Sequence, residues 1–309
     1  MKKDLISITD LTAKEINSIL KNAIEMKLNL KAGKNKNNIL ANKTLVMIFE
    51  KPSLRTRISF EIGMTQFGGH AIYLGPSDIG LGKRESVADI AKVVSSMGDI
   101  IMARTFAHQS VVDLAKYASV PVINGLSDLE HPCQILADFQ TILEVKGKLK
   151  GLTLGFVGDC DNNMVHTLAL GAALLGMHFR CAAPKGYWMN KEIAEKAKEI
   201  AQKTHVEINQ TADPKEAVKN VDVVITDTWT SMGDEAEKEE RIKIFKPYQV
   251  NQKLMQLAQK NAIFMHCLPA YRNNEVTTDV IDGPQSVVFQ EAENRLHAQK
   301  ALILYLLEK

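Results

Sequence analysis

The sequence predicts an α/β protein of two domains, each a parallel sheet flanked by helices. Three observations carry that prediction. Short apolar runs such as Thr44–Phe49 alternate with longer stretches of helical spacing. The alternation runs through the first half of the chain and resumes in the second. The 309 residues, 45% of them hydrophobic, suffice for two cores of ordinary size.

Residues 8–29 have helical spacing behind a Thr9-Asp10 start, and the polar stretch 31–38 reads as a loop. The run 44–49 reads as a buried strand. Ser53 then stands where an N-cap belongs, and the helix it opens ends at Gly68-Gly69. A short strand is expected at 71–74, and a mobile loop at 75–84, which is rich in Gly, Ser and charge. Helix 85–97, strand 99–104, helix 111–118 and strand 121–124 follow. His131-Pro132 opens a helix to about residue 145, with proline at a well-tolerated first position. Gly147 and Gly151 flank a basic joint, which sets the expected boundary: domains at 1–147 and 148–290, then a C-terminal helix at 291–309. In the second half, strands at 153–157, 179–183, 221–226 and 262–268 alternate with helices at 165–175 and 191–203 and with an acidic helix after Gly233.

Lys and Arg number 38 against 36 Asp and Glu, so the net charge of +2 makes no general case for nucleic acid or an acidic membrane surface. No run approaches the roughly 20 apolar residues that span a bilayer, and Met1-Lys2-Lys3-Asp4 has no apolar signal core behind it. Cys133, Cys160, Cys181 and Cys267 form no C-x-x-C pair and no Cys/His zinc spacing. A reduced, cytoplasmic protein without a metal is expected.

Ligands of parallel sheets bind beyond the carboxyl ends of strands. Six polar clusters fall there: Ser53-Leu54-Arg55-Thr56, Arg104, His131-Pro132-Cys133-Gln134, Asp159-Cys160-Asp161-Asn162-Asn163, Asp227 to Gly233, and His266-Cys267-Leu268-Pro269. The first combines hydroxyls and guanidiniums with the free N–H groups of a helix start, a socket for phosphate. Each cluster also has a plainer explanation. Ser53 serves as a simple cap, Arg57 and Glu61 as an i,i+4 pair, His131 as a structural histidine, Cys267 as a small buried hydrophobe, and Asp227 as a turn cap. Two other motifs fail. Gly80 to Arg84 lacks the first glycine and the hydroxyl of a P-loop, with Ser77 and Arg84 at those places. Gly155-Phe156-Val157-Gly158 lacks the dinucleotide fingerprint, and Asp159 would repel a pyrophosphate.

Along essentially its whole length the chain resembles the aspartate/ornithine carbamoyltransferase superfamily, and most closely its ornithine-using branch. S-x-R-T-R at Ser53, H-P-x-Q-x-L-A-D at His131, D-x-W-x-S-M-G at Asp227, H-C-L-P at His266 and E-A-E-N-R at Glu291 occur in the family's order. The resemblance implies carbamoyl transfer from carbamoyl phosphate to the δ-amine of L-ornithine, giving citrulline and phosphate in arginine metabolism. The transfer is direct, with no covalent intermediate, metal or organic cofactor.

It assigns Ser53, Leu54, Arg55, Thr56, Arg104, His131, Pro132, Cys133, Gln134, Cys267, Leu268 and Arg295 to carbamoyl phosphate. Asn163, Asp227, Ser231 and Met232 go to ornithine, and Arg104, His131 and Cys267 to catalysis. It further implies a site in the cleft between the domains, a C-terminal helix packed back on the first domain, a homotrimer with sites at subunit interfaces, and a cis Leu268–Pro269 bond. Two positions depart from the family's pattern. Leu54 replaces the threonine of S-T-R-T-R, which leaves a backbone contact only. Gly80 replaces a loop side chain that in relatives reaches a neighbouring subunit, with Lys83 or Arg84 as substitutes.

Overall fold

Thr44–Phe49 (β1) is a run of β-branched, long apolar and aromatic residues, buried at every position but its first. A strand buried on both faces belongs inside a parallel sheet covered by helices. The structure, a computed structural model, describes residues 3–34, 38–82, 84–230 and 237–308. They divide into two units, 1–140 with 293–309, and 141–292.

In the first unit a 3₁₀ turn, Ile8–Asp10, precedes Ala13–Lys31 (α1). The long helix thus starts later than Thr9-Asp10 suggested, because Thr12 caps it and forms a capping box with Glu15. After β1 come Leu54–Gln66 (α2), His70–Leu74 (β2), Pro76–Ile79 (α3), Val87–Met97 (α4), Ile100–Arg104 (β3), His108–Tyr117 (α5) and Val122–Leu126 (β4). The strands are parallel in the order β2-β1-β3-β4. The stretch expected as a mobile loop contains α3, whose first position is Pro76 and whose Asp78 carboxylate accepts the Gly75 N–H at 2.7 Å. Gly80 closes that short helix at φ +53°, a left-handed conformation that suits glycine.

Pro132–Lys146 (α6) carries the chain into the second unit, and Val288–Leu306 (α13) brings it back. Within the first unit, Lys27 Nζ donates to Asn294 Oδ1 and Lys300 Nζ to Gln66 Oε1, each at 2.7 Å, so the returning helix is fastened at two points along its middle. Burial drops the Lys300 ammonium to about 8.

The second unit contains Thr153–Val157 (β5), Asn163–Leu175 (α7), His178–Ala182 (β6), Lys191–Thr204 (α8), Ile208–Thr211 (β7), Pro214–Val218 (α9), Val223–Thr226 (β8), Lys238–Phe245 (α10), Gln252–Met255 (α11), Ile263–His266 (β9) and Thr278–Ile281 (α12). The strands run parallel in the order β7-β6-β5-β8-β9. The chain therefore steps one way from β5 through β7, then restarts on the other side at β8. The β5–β8 seam is the switch point of this sheet, the kind of place where the ligands of open α/β sheets usually bind. Gly155 in β5 belongs to packing and not to a nucleotide: a Cβ there would stand 2.6 Å from the Ala217 carbonyl oxygen of α9. The adjoining core gathers Trp229, Phe245, Tyr248 and Phe264. No helix among the described residues is long and apolar enough to cross a membrane.

Candidate active site

The first cluster grows from the carboxyl end of β1. The Ser53 hydroxyl accepts the Thr56 N–H at 3.4 Å and caps α2, as its position predicts. Leu54, the first residue of α2, is 67% exposed, and its N–H is one of those a helix start leaves without an intrahelical partner. Arg57 pairs with Glu61 at 2.9 Å and lies 4.0 Å from the Tyr73 ring, which is the structural role expected of it.

Thr56 is buried, and Arg295 of α13 donates to its Oγ1 at 3.2 Å and to Gln134 Oε1 at 2.6 Å. Gln134 in turn donates to Asp138 at 2.8 Å. With its amide turned to match its neighbours, Gln299 accepts from Arg295 Nη2 and Nε at 2.9 and 3.1 Å and donates to Ser59. Three neutral side chains, Thr56, Gln134 and Gln299, thus help to orient this guanidinium.

Arg104 ends β3 directly after a register shift between Ala103 and Arg104, the kind of irregularity that re-aims a side chain. His131 precedes α6 and is buried. Burial holds its imidazole well below the usual histidine range, reinforced by the charges of Arg295, Arg104, Lys51 and Arg55. The ring is neutral at pH 7 and able to donate to a carbonyl oxygen. Cys133 faces the core instead: burial pushes its thiol up to about 12, and Sγ donates to the Asn124 carbonyl at 3.3 Å. Pro132 lacks an N–H, so a contribution of this pair to a ligand runs through backbone and shape.

The second unit's cluster stands at the ends of β5, β8 and β9. Asn162 caps α7 by accepting the Val165 N–H at 3.0 Å, and Asn163 opens that helix. Asp227 Oδ1 accepts the Thr228 N–H at 2.7 Å and the Cys267 thiol at 3.2 Å. Burial raises the Asp227 carboxyl, against the pull of His266 and of the thiol bond. Cys267 is only half-buried and turned to a carboxylate, so it is not the core hydrophobe that its residue type suggests.

His266 accepts the Leu268 N–H on Nδ1 at 2.9 Å and faces Glu275 across 3.2 Å with Nε2. Leu268–Pro269 is cis, as the resemblance implied. Asp227, His266 and Cys267 each bring a ligand-type atom within 4.8 Å of the others. Both imidazole nitrogens are already engaged, which fits hydrogen bonding better than a metal. Ser231, Met232 and Lys83 lie outside the described residues.

Lys51, Gln299 and Arg241 belong to these clusters and are absent from the residues expected from the sequence. Lys51 adjoins the socket stretch, and Gln299 lies one helical turn beyond Arg295, so both carried a positional signal. Arg241 carried none.

Residues 3–144 match the carbamoyl-P binding domain of aspartate/ornithine carbamoyltransferase, and residues 150–306 match its Asp/Orn binding domain. The chain is 52% identical over 305 residues to an ornithine carbamoyltransferase of Anoxybacillus flavithermus, covering 99% of this chain and 96% of that protein. Against an ornithine carbamoyltransferase of Bacillus subtilis, identity is 52% over 307 residues, covering 99% and 94%. The solved ornithine carbamoyltransferase of Pyrococcus furiosus superposes with a TM-score of 0.95 at 50% identity, covering 98% of this chain and 96% of that one. Both domain matches, the near-complete coverage and the shared fold place this chain in the aspartate/ornithine carbamoyltransferase family.

Proposed function

We propose that the chain is an ornithine carbamoyltransferase, converting carbamoyl phosphate and L-ornithine into L-citrulline and phosphate in arginine metabolism. The observation that carries this reading is the neutral, buried His131 imidazole set among the charges of Arg295, Arg104, Lys51 and Arg55. That group suits an oxyanion: cations for the phosphate and a neutral donor for the carbonyl oxygen. Ser53, Arg55 and Thr56, with the Leu54 backbone, take the phosphate. Arg104, His131 and Gln134 take the carbamoyl end, with Arg295 behind them and Pro132 and Cys133 shaping the helix start.

Asp227 pairs with the α-ammonium of ornithine, while Asn163, Ser231 and Met232 fix the rest of the amino acid. Cys267 and Leu268 border the reacting atoms. The neutral δ-amine attacks the carbamoyl carbon, forming a C–N bond. The C–O bond to phosphate breaks, phosphate leaves with the electron pair, and the proton released by the nitrogen passes to the departing phosphate. Positioning and charge stabilisation carry the rate.

Homotrimer formation is part of the proposal. It is supported by an apolar stripe on α2, where Leu54, Ile58 and Ile62 are 67%, 45% and 41% exposed at i, i+4, i+8 spacing. A reducing, cytoplasmic setting is supported by four free thiols, three of them buried.

The test is to incubate purified protein with carbamoyl phosphate and, separately, ornithine, putrescine or aspartate, following each carbamoylated product. Citrulline formed in preference to the others is expected. No citrulline above background, or faster carbamoylation of putrescine or aspartate, overturns the reading.

A further inference from the structure

Arg241 is a buried charge in the second unit that the proposed mechanism leaves idle. It sits on α10 and is 7% exposed. A buried guanidinium needs partners for its donors and its charge. Arg241 Nε donates to the Trp229 carbonyl at 2.5 Å, and Nη2 forms a short contact with the Asp159 carboxylate. The Tyr187 and Phe245 rings lie 5.2 and 5.3 Å from its guanidinium carbon, a spacing at which aromatic faces stabilise a cation.

What these partners belong to matters more than their number. Asp159 lies in the loop after β5 that leads to Asn163. Trp229 lies in the loop after β8, two residues beyond Asp227. The two loops leave the sheet on either side of the β5–β8 seam. One planar fork therefore ties both loops together at the switch point, and a fork of fixed geometry does this as a flexible ammonium does not. Asp159 gains as well: burial pushes its carboxyl up to about 6, and the Arg241 guanidinium and the Asp161 N–H both favour its ionised form against that push.

We propose that Arg241 is a positioning residue for the acceptor amino acid, setting the spacing of Asp227 and Asn163 by clamping Trp229 and Asp159 without touching either substrate. The inference rests on the ornithine reading above.

The experiment is steady-state kinetics of the full chain and of Arg241→Gln, Arg241→Lys, Asp159→Asn and Glu237→Ala, varying each substrate in turn. Arg241→Gln is expected to raise the ornithine KM about tenfold or more, with carbamoyl phosphate KM and kcat within about twofold. Arg241→Lys falls between, because it keeps the charge and loses the fork. Glu237 is 65% exposed on its side chain and 3.8 Å from Arg241. Its alanine variant is expected to match the unaltered chain.

A rise shared equally by both substrates, or an ornithine KM within about twofold of the unaltered chain, overturns the inference. If Arg241→Gln does not fold, Asp159→Asn decides by the same criterion, since it breaks the clamp with a near-isosteric change. No citrulline from the unaltered chain overturns both readings. Citrulline formation with an unmoved ornithine KM overturns this one alone.

Discussion

In the first unit, Arg295 is tied to Thr56, Gln134 and Gln299 through neutral side chains, while in the second unit the charge of Arg241 is matched by Asp159. The charge proposed to face the ligand in the second unit is instead Asp227, a carboxylate held by a thiol and a backbone N–H. The two regions place opposite charges where substrate is expected, and they use cations differently. Where positive charge is proposed to meet phosphate, the partners shown are amides and a hydroxyl, which orient a guanidinium. Where positive charge is scaffolding, a carboxylate neutralises it. The neutral partners shown go with the arginine proposed to bind substrate, and the acidic one with the arginine proposed to clamp two loops.

The strongest way to break this comparison is to remove the neutral donor among the cations. His131→Ala is expected to lower kcat by about 100- to 1,000-fold, the loss typical of one donor to a developing oxyanion. Single-turnover kinetics check it, and a loss under tenfold contradicts the role.

Next in size is Asp227→Asn, expected to raise the ornithine KM about 10- to 100-fold by removing a charge-assisted bond. The same change is expected to raise the melting temperature at neutral pH. Burial lifts the Asp227 carboxyl above its ordinary value, so the native state favours the protonated form. Stability is then full below the unfolded value and is lost as pH rises through the folded one. Asparagine escapes that loss above the folded value, and its advantage is expected to vanish in acid. A lower melting temperature at pH 7 contradicts the assignment of Asp227 as a functional charge held at a structural cost.

His131 has the opposite sign. Its folded value is depressed, so its share of stability is present above the unfolded value near 6.5 and is lost as pH falls toward the folded one. Denaturant titrations from pH 7 downward are expected to show that loss in the unaltered chain and a flatter profile in His131→Gln. Matching slopes contradict it.

A smaller effect sharpens the orienting role of neutral partners. Gln299→Ala is expected to raise the carbamoyl phosphate KM a few-fold, about 1 kcal/mol for the hydrogen bonds lost around Arg295. The smallest concerns Arg57, whose pairing with Glu61 is between half-exposed side chains. Arg57→Ala is expected to cost about 0.5 kcal/mol of stability or less and to leave both KM values within about twofold.

Sequence carries local structure well and long-range convergence poorly, and particular residues show why. Ser53 is a legible cap because its partner Thr56 is three residues away. The same holds for the pair Arg57 and Glu61. The bonds of Arg295 to Gln134 and Thr56 span 161 and 239 residues, and motif resemblance, not spacing, placed Arg295 near the socket. Arg241 was invisible because one arginine in the charged run Lys238–Phe245 looks like solvated surface. The edge strand Ile208–Thr211 went unread because Ile-Asn-Gln-Thr has neither an apolar run nor a clean alternation.

In the proposed reaction the two units divide the labour: the first binds carbamoyl phosphate through its cations and the second binds the amino acid through Asp227. Calorimetric titration of carbamoyl phosphate into the Asp227→Asn protein, with ornithine absent, tests it most directly. A dissociation constant within about twofold of the unaltered chain is expected. A tenfold or greater weakening, about 1.4 kcal/mol, would contradict it.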